Sequence, residues 1–281
     1  MISLSGYVSK KPVECDAHTH LFDGVDSCPD LILPQSKLTV AFADIRFADP
    51  ESYADGMTSK AYDRFISEDY PELKDRLILL STAPSAEEAI KICEDHKDVI
   101  KGFGEFKCYD SYRTGKFKGT QETEKLDYGN LKWVEPVLEY NHKNMPVYIH
   151  YSIYDEERVK GLSKILERYP DTPFVLCHCG MGTKRDKSST LDELSSLMSR
   201  YGNLWTDISF SALDKFVSDR NAIDRLQKDR VLIGSDLNPV VKTKDYQFIR
   251  NYVDSTLLKM EIINGYDVDF YGNLKRLFGL S

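Results

Sequence analysis

A closed barrel of alternating parallel strands and helices, (β/α)8 in form, is the fold class this sequence predicts, and three observations predict it. Eight short apolar runs punctuate a chain of 281 residues. Most of these runs are continuous rather than alternating, as strands buried on both faces are in a parallel sheet covered by helices. Segments of helical character separate most of them, and strand–helix alternation marks a parallel α/β architecture. Such a barrel typically takes about 250 residues, so a single domain over residues 1–281 with a C-terminal helical extension is expected.

Each element has its own signal. The first strand is expected over about Val13 to His20, where Val13 and Cys15 lead into Asp16-Ala17-His18-Thr19-His20. Phe22 to Lys37, rich in Asp and Pro, is a loop before the second strand, Leu38 to Ile45. A helix over Tyr53 to Glu68 precedes the third strand, Leu77 to Ala83. Ser85-Ala86-Glu87-Glu88 is a capping box, after which Ala89, Ile90 and Cys93 recur at helical spacing. Strand four, Ile100 to Cys108, runs into a long polar and basic connection, Tyr109 to Leu126. Long loops at strand ends tend to shape active sites. A helix over Asn130 to His142, strand five over Val147 to His150 and a helix over Glu156 to Arg168 follow. Strand six, Phe174 to Cys179, a helix over Leu191 to Tyr201 and strand seven, Leu204 to Phe210, continue the alternation. A helix over Ala212 to Lys228, strand eight over Val231 to Asp236 and a helix over Asp245 to Leu258 complete it. The chain after Lys259 is expected to cap the barrel, ending in the amphipathic stretch Asn273 to Leu280.

Composition narrows the function classes. Hydrophobic residues make up 41% and charged residues 29%, enough apolar surface for a sizeable core without disulfides. A net charge of -8 argues against a nucleic-acid partner, which would need a basic face to neutralise phosphates. No apolar run approaches the roughly 20 residues that span a bilayer, and the first residues lack the features of a signal peptide. The expectation is a cytoplasmic protein with no membrane partner. The six cysteines, Cys15, Cys28, Cys93, Cys108, Cys177 and Cys179, lack the spacing of a structural zinc site and are expected to be reduced. Strand alternation sends Cys177 and Cys179 to the face opposite His178, packed under the helices.

The chemistry rests on where the histidines fall. His18 and His20, two residues apart on a strand, share one face and form a chelate pair. His150, His178 and Asp236 each end a separate apolar run, and Glu105 lies near the end of strand four. In a parallel barrel all strand C-termini open on one rim, so residues far apart in sequence converge there. Taken singly, His150 or His178 is more often a satisfied core histidine than a ligand; their joint placement carries the metal reading. Neutral imidazoles and carboxylates suit a zinc-like ion, which lowers the pKa of bound water from about 15.7 to about 7. Asp236, ending the last strand beside the first, is assigned as both ligand and general base. Arg46, just past strand two, has the planar fork that grips a carboxylate or phosphate, although a surface salt bridge explains it equally well. Lys184, Arg185 and Lys187 follow strand six on the same rim, a basic mouth that suggests an anionic small-molecule substrate, although a merely solvated loop explains them slightly better.

His-x-His on strand one, His on strands five and six, and Asp on strand eight together resemble the amidohydrolase superfamily of TIM-barrel metal-dependent hydrolases. Gly202-Asn203-Leu204-Trp205-Thr206-Asp207-Ile208-Ser209, Leu232-Ile233-Gly234-Ser235-Asp236 and Asn273-x-x-Arg276-Leu277-Phe278-Gly279 resemble its amidohydrolase-related branch, which mixes hydrolases with decarboxylases. The resemblance covers nearly the whole chain. It implies that His18, His20 and Asp236 bind one metal, with His150 and His178 available to a second and Asp236 and His178 as the catalytic pair. Glu105 stands where binuclear relatives place a bridging carboxylate or a carbamylated lysine. Lys107 shares its strand face and is the alternative bridge, or a holder of a substrate anion; Glu105 is preferred because an ammonium has no lone pair for a metal. The implied cofactor is one or two divalent ions, zinc first and manganese as an alternative. The implied reaction is hydrolysis of an ester, lactone, amide or phosphoester. The alternatives are a single-metal decarboxylase of an aromatic or unsaturated carboxylic acid, a metal-dependent deoxyribonuclease, which the acidic charge disfavours, and a binding protein that keeps metal without turnover. Relatives often form dimers, so a homo-oligomer is a family expectation.

Overall fold

A computed structural model describes residues 13–21, 36–43, 76–82, 85–108, 131–181, 187–236 and 246–281. Arg46, Lys184, Arg185, Cys28 and the helix expected between Tyr53 and Glu68 lie outside the described residues. Eight strands form one sheet in sequence order: β1 (Val13–Leu21), β2 (Ser36–Ala43), β3 (Leu77–Ser81), β4 (Ile100–Lys107), β5 (Val147–His150), β6 (Phe174–Leu176), β7 (Leu204–Ile208) and β8 (Val231–Ile233). Every paired neighbour is parallel. The residues just past β8 return to β1, where the Asp236 N–H donates to the His18 carbonyl at 2.7 Å and the Ser235 N–H to Asp16 Oδ1 at 2.9 Å. The sheet is therefore bent into a nearly closed (β/α)8 TIM barrel.

Helices follow the strands for local reasons. In α1 (Ala86–Asp95) the Ser85 hydroxyl accepts the Glu88 N–H, and Ala86, Ala89, Ile92 and Cys93 face the core. In α2 (Glu135–Tyr140) a proline sits in the first turn, where its missing N–H costs nothing. In α3 (Glu156–Arg168) Asp155 caps the Arg158 N–H at 2.8 Å, acids occupy the first turn and Arg168 the last, matching the helix dipole. α4 (Lys187–Arg200), α5 (Ser211–Ser218), α6 (Tyr246–Asn264) and α7 (Phe270–Leu277) complete the described helices. Two asparagines from the sequence motifs act as structural staples. Asn203 donates its amide to the carbonyls of Leu166, Tyr169 and Thr172 at the end of α3. Asn273 donates to Lys228 O and Val231 O, both at 2.7 Å, locking α7 under the start of β8.

Several expected spans are shorter in the structure, and three of them bear on the site or its surroundings. β6 stops at Leu176, and Cys177–Gly180 form a turn in which His178 and Cys179 both take φ 55. β8 stops at Ile233, so Asp236 lies three residues beyond the strand, at φ 48. The helix expected from Ala212 to Lys228 ends at Ser218, and short 3-10 turns carry the chain onward. Cys15, Cys93, Cys108, Cys177 and Cys179 are buried thiols outside any disulfide. Among the described residues no helix is long and apolar enough to cross a membrane.

Candidate metal centre

The site is built at the C-terminal rim by departures from regular strand geometry. β1 shifts register between Asp16 and Thr19, and β4 between Phe103 and Phe106, so His18 and Glu105 each lie within an irregularity that re-aims a side chain. Gly104 permits the second, since at φ 105 any Cβ would collide with the Tyr148 carbonyl. Just past β8 the same logic applies to Gly234, where a Cβ would fall 2.5 Å from His18 Cβ. The close approach of β8 to β1 carries Asp236 over His18.

Two imidazoles and two carboxylates then form a ring of donors. His18 Nε2 lies 3.8 Å from Glu105 Oε2 and 3.5 Å from Asp236 Oδ1. His178 Nε2 lies 3.5 Å from Glu105 Oε1 and 3.8 Å from Asp236 Oδ2. Bonds of about 2.0–2.2 Å to a tetrahedral ion imply ligand-to-ligand edges of roughly 3.3–3.6 Å, so the ring is close to the size of such a cage. The His178 Nε2 atom is buried and makes no hydrogen bond among the described residues, which leaves its lone pair directed at the ring. His150 joins from β5, with Nδ1 2.6 Å from Glu105 Oε1 and its ring 4.5 Å from that of His178. Its side chain is 24% exposed and marks the side open to solvent.

A second layer of side chains orients the first. His18 Nδ1 lies 3.0 Å from Asp207 Oδ2, so the carboxylate holds the proton on that nitrogen and leaves Nε2 free to bind. The other Asp207 oxygen accepts the His178 N–H at 3.0 Å and the Ser209 hydroxyl. Ser209 Oγ is 2.7 Å from His178 Nδ1. Asp16 accepts the His18 N–H, the Ser235 N–H and the Ser235 hydroxyl. Burial pushes Asp16 up to about 6 against the pull of those hydrogen bonds. Burial pushes His18 down, but Asp207, Asp236 and Glu105 outweigh it and the net direction is upward. Burial likewise pushes Asp207 up, and His18, His178 and Ser209 more than offset it. The cluster thus draws positive charge to its centre.

The structure brings His18, Glu105, His150, His178 and Asp236 together. His20 and Lys107 occupy strand ends, Lys107 in register with His150, but their side chains lie outside the described residues. Arg46, Lys184 and Arg185 lie outside them altogether. Cys177 corrects an expectation: it packs inward, with Sγ within 4.8 Å of donor atoms of His18 and Asp207, and not under the helices. Cys179 donates Sγ–H to the Asp207 carbonyl at 3.3 Å. Alternation failed because the strand ends before these residues and His178 turns left-handed. Sequence reasoning also missed Asp207, Ser209 and Asp16 as partners of the histidines. A signal existed, since Asp207 and Ser209 share one face of an otherwise apolar strand end, as Asp16 does with His18.

Residues 127–259 match the family model described as amidohydrolase, the stretch that carries His150, His178 and Asp236. Over that stretch the chain resembles the amidohydrolase family. An amidohydrolase from Burkholderia multivorans with bound zinc is similar over 96% of this chain and 100% of its own, at 12% identity and a TM-score of 0.53. Dihydroorotase from Campylobacter jejuni is similar over 96% of this chain and 84% of its own, at 18% identity and a TM-score of 0.52. Amidohydrolase 2 from Bifidobacterium longum subsp. infantis is similar over 95% and 99%, at 14% identity and a TM-score of 0.50. At these identities the likeness is one of fold. No curated protein matches the chain. The barrel presents its donor ring on the rim where strand ends converge.

Proposed function

We propose that this protein is an amidohydrolase-like, metal-dependent hydrolase of a small, anionic substrate. The observation that carries the proposal is the ring of His18, Glu105, His178 and Asp236, spaced at 3.5–3.8 Å, with the buried His178 Nε2 making no hydrogen bond among the described residues. A bound divalent ion, zinc as in the Burkholderia relative or manganese, supplies an acidified water and polarises the oxygen under attack. His18 and His178 hold their Nε2 lone pairs toward the ring because Asp207 and Ser209 occupy the opposite nitrogens. Glu105 turns one oxygen to His18 and the other to His150 and His178, and would hold the ion together with them. Asp236, whose side chain is 9% exposed at the rim, takes the proton from attacking water at a carboxylate oxygen and delivers it to the leaving group. Arg46, Lys107, Lys184 and Arg185 are proposed to hold the anionic part of the substrate.

The compactness of the ring favours a second reading, a single-ion lyase that releases carbon dioxide from a carboxylic acid. Elemental analysis of the purified protein, followed by a screen of ester, lactone, amide and phosphoester substrates with zinc or manganese restored, separates the two. Hydrolysis predicts turnover in that screen, lost about 1,000-fold or more in Asp236→Asn while part of the metal is retained. One metal equivalent and carbon dioxide release without hydrolysis would establish the lyase, and a protein that takes up no metal would end both readings.

A further inference from the structure

Phe210 stands just past β7 on the same rim, and three observations set it apart. It is 46% exposed, the highest value among the large hydrophobic side chains described as exposed. Its backbone takes φ 47 and ψ -118, a conformation that suits glycine and that a bulky side chain adopts only against steric resistance. Its ring stands edge-to-face to His178, with centroids 6.0 Å apart and planes at 62°. Folding alone would favour a glycine at this backbone angle and a polar residue at this exposure. An aromatic ring held in both unfavourable circumstances beside a donor-ring histidine has a use in binding.

We propose that Phe210 is a specificity-determining wall of the substrate pocket, receiving a flat apolar portion of the substrate, a ring or conjugated chain, attached to the group held at the donor ring. The inference deepens the metal-dependent reading and rests on it. An exposed aromatic face gains most from another flat π-system, through offset or edge contacts that a puckered aliphatic ring of similar size cannot match. The side of the cluster open to solvent lies along the half-sheltered His150 and reaches His178, whose ring Phe210 flanks. A flat group entering there meets the ring of Phe210 while its carboxylate or carbonyl reaches the donors.

The test uses the zinc-loaded full chain and three probes of equal charge, benzoate, cyclohexanecarboxylate and acetate, with affinities measured calorimetrically. Wild type is expected to prefer benzoate over both others. Phe210→Gly is expected to weaken benzoate about tenfold, to change acetate little, to keep its zinc content, and to melt at the same temperature or higher because the backbone strain is relieved. Phe210→Tyr is expected to restore benzoate binding. Equal benzoate affinity in wild type and Phe210→Gly, both zinc-loaded, would overturn the proposal. So would a lower melting temperature with an equal loss for all three probes, which would make Phe210 a packing residue. A wild-type protein that takes up no zinc would fail earlier, at the metal reading, and would take this inference with it.

Discussion

Asp207 links the two histidines that face the donor ring, through one oxygen on the His18 ring and the other on the His178 backbone. It is a positioning residue, since it touches neither the centre of the ring nor the solvent. Asp207→Asn keeps the shape and one acceptor but removes the charge that fixes the His18 tautomer. Its expected effect is a 10–100-fold loss of zinc affinity with little change in fold, read by competition against a chromophoric chelator alongside circular dichroism. Unchanged affinity would strip Asp207 of that role. His18, His150, His178 and Asp236 were legible in the sequence because each ends an apolar run, and Glu105 because it lies near the end of one. Asp207 was not singled out, although its place two residues from Ser209 in an apolar strand end is as unusual as theirs. The difference is chemical: an acid that orients a ligand carries no spacing rule of its own.

At the scale of elements, the irregular places do most to form the site. β5 and α3 have the bounds that periodicity and capping predict, Val147–His150 and Glu156–Arg168. The ends of β6 and β8 do not, because the chain leaves extended geometry at His178 and Asp236 in left-handed conformations that no hydrophobic pattern announces. Those turns swing the two side chains inward. The seam between β8 and β1 depends on one glycine. Gly234→Ala would place a methyl group against His18 Cβ at 2.5 Å and the His18 nitrogen at 2.8 Å, where backbone cannot yield cheaply. A loss of about 1–3 kcal/mol is expected, measured by urea unfolding, together with weakened zinc binding as Asp236 is pushed away from His18. A variant as stable as wild type would show that the strands can separate without cost.

At the scale of the whole molecule, the buried carboxylates among the described residues gather at one rim. Asp16, Glu105, Asp207 and Asp236 are all buried around His18 and His178. Such a group of acids repels itself unless a cation sits among them. An ion that binds the folded state alone adds about 2.7 kcal/mol at a concentration 100 times its Kd. For a protein of this size that corresponds to roughly 5–10 °C in melting temperature. Removing metal with a chelator is expected to lower the melting temperature by that amount, and restoring zinc to recover it. A melting temperature indifferent to both would mean that the acids are balanced by protons alone.

The clasp between Ser235 and the first strand has a consequence for how the protein is made. Ser235 reaches across 217 positions to the carbonyl of His18. During synthesis on the ribosome, His18 emerges long before the partner that completes its cage, so a nascent chain cannot trap an ion in the finished geometry. Capture of an ion there would wait until the barrel has shut, which would make metal uptake a late sign of correct assembly.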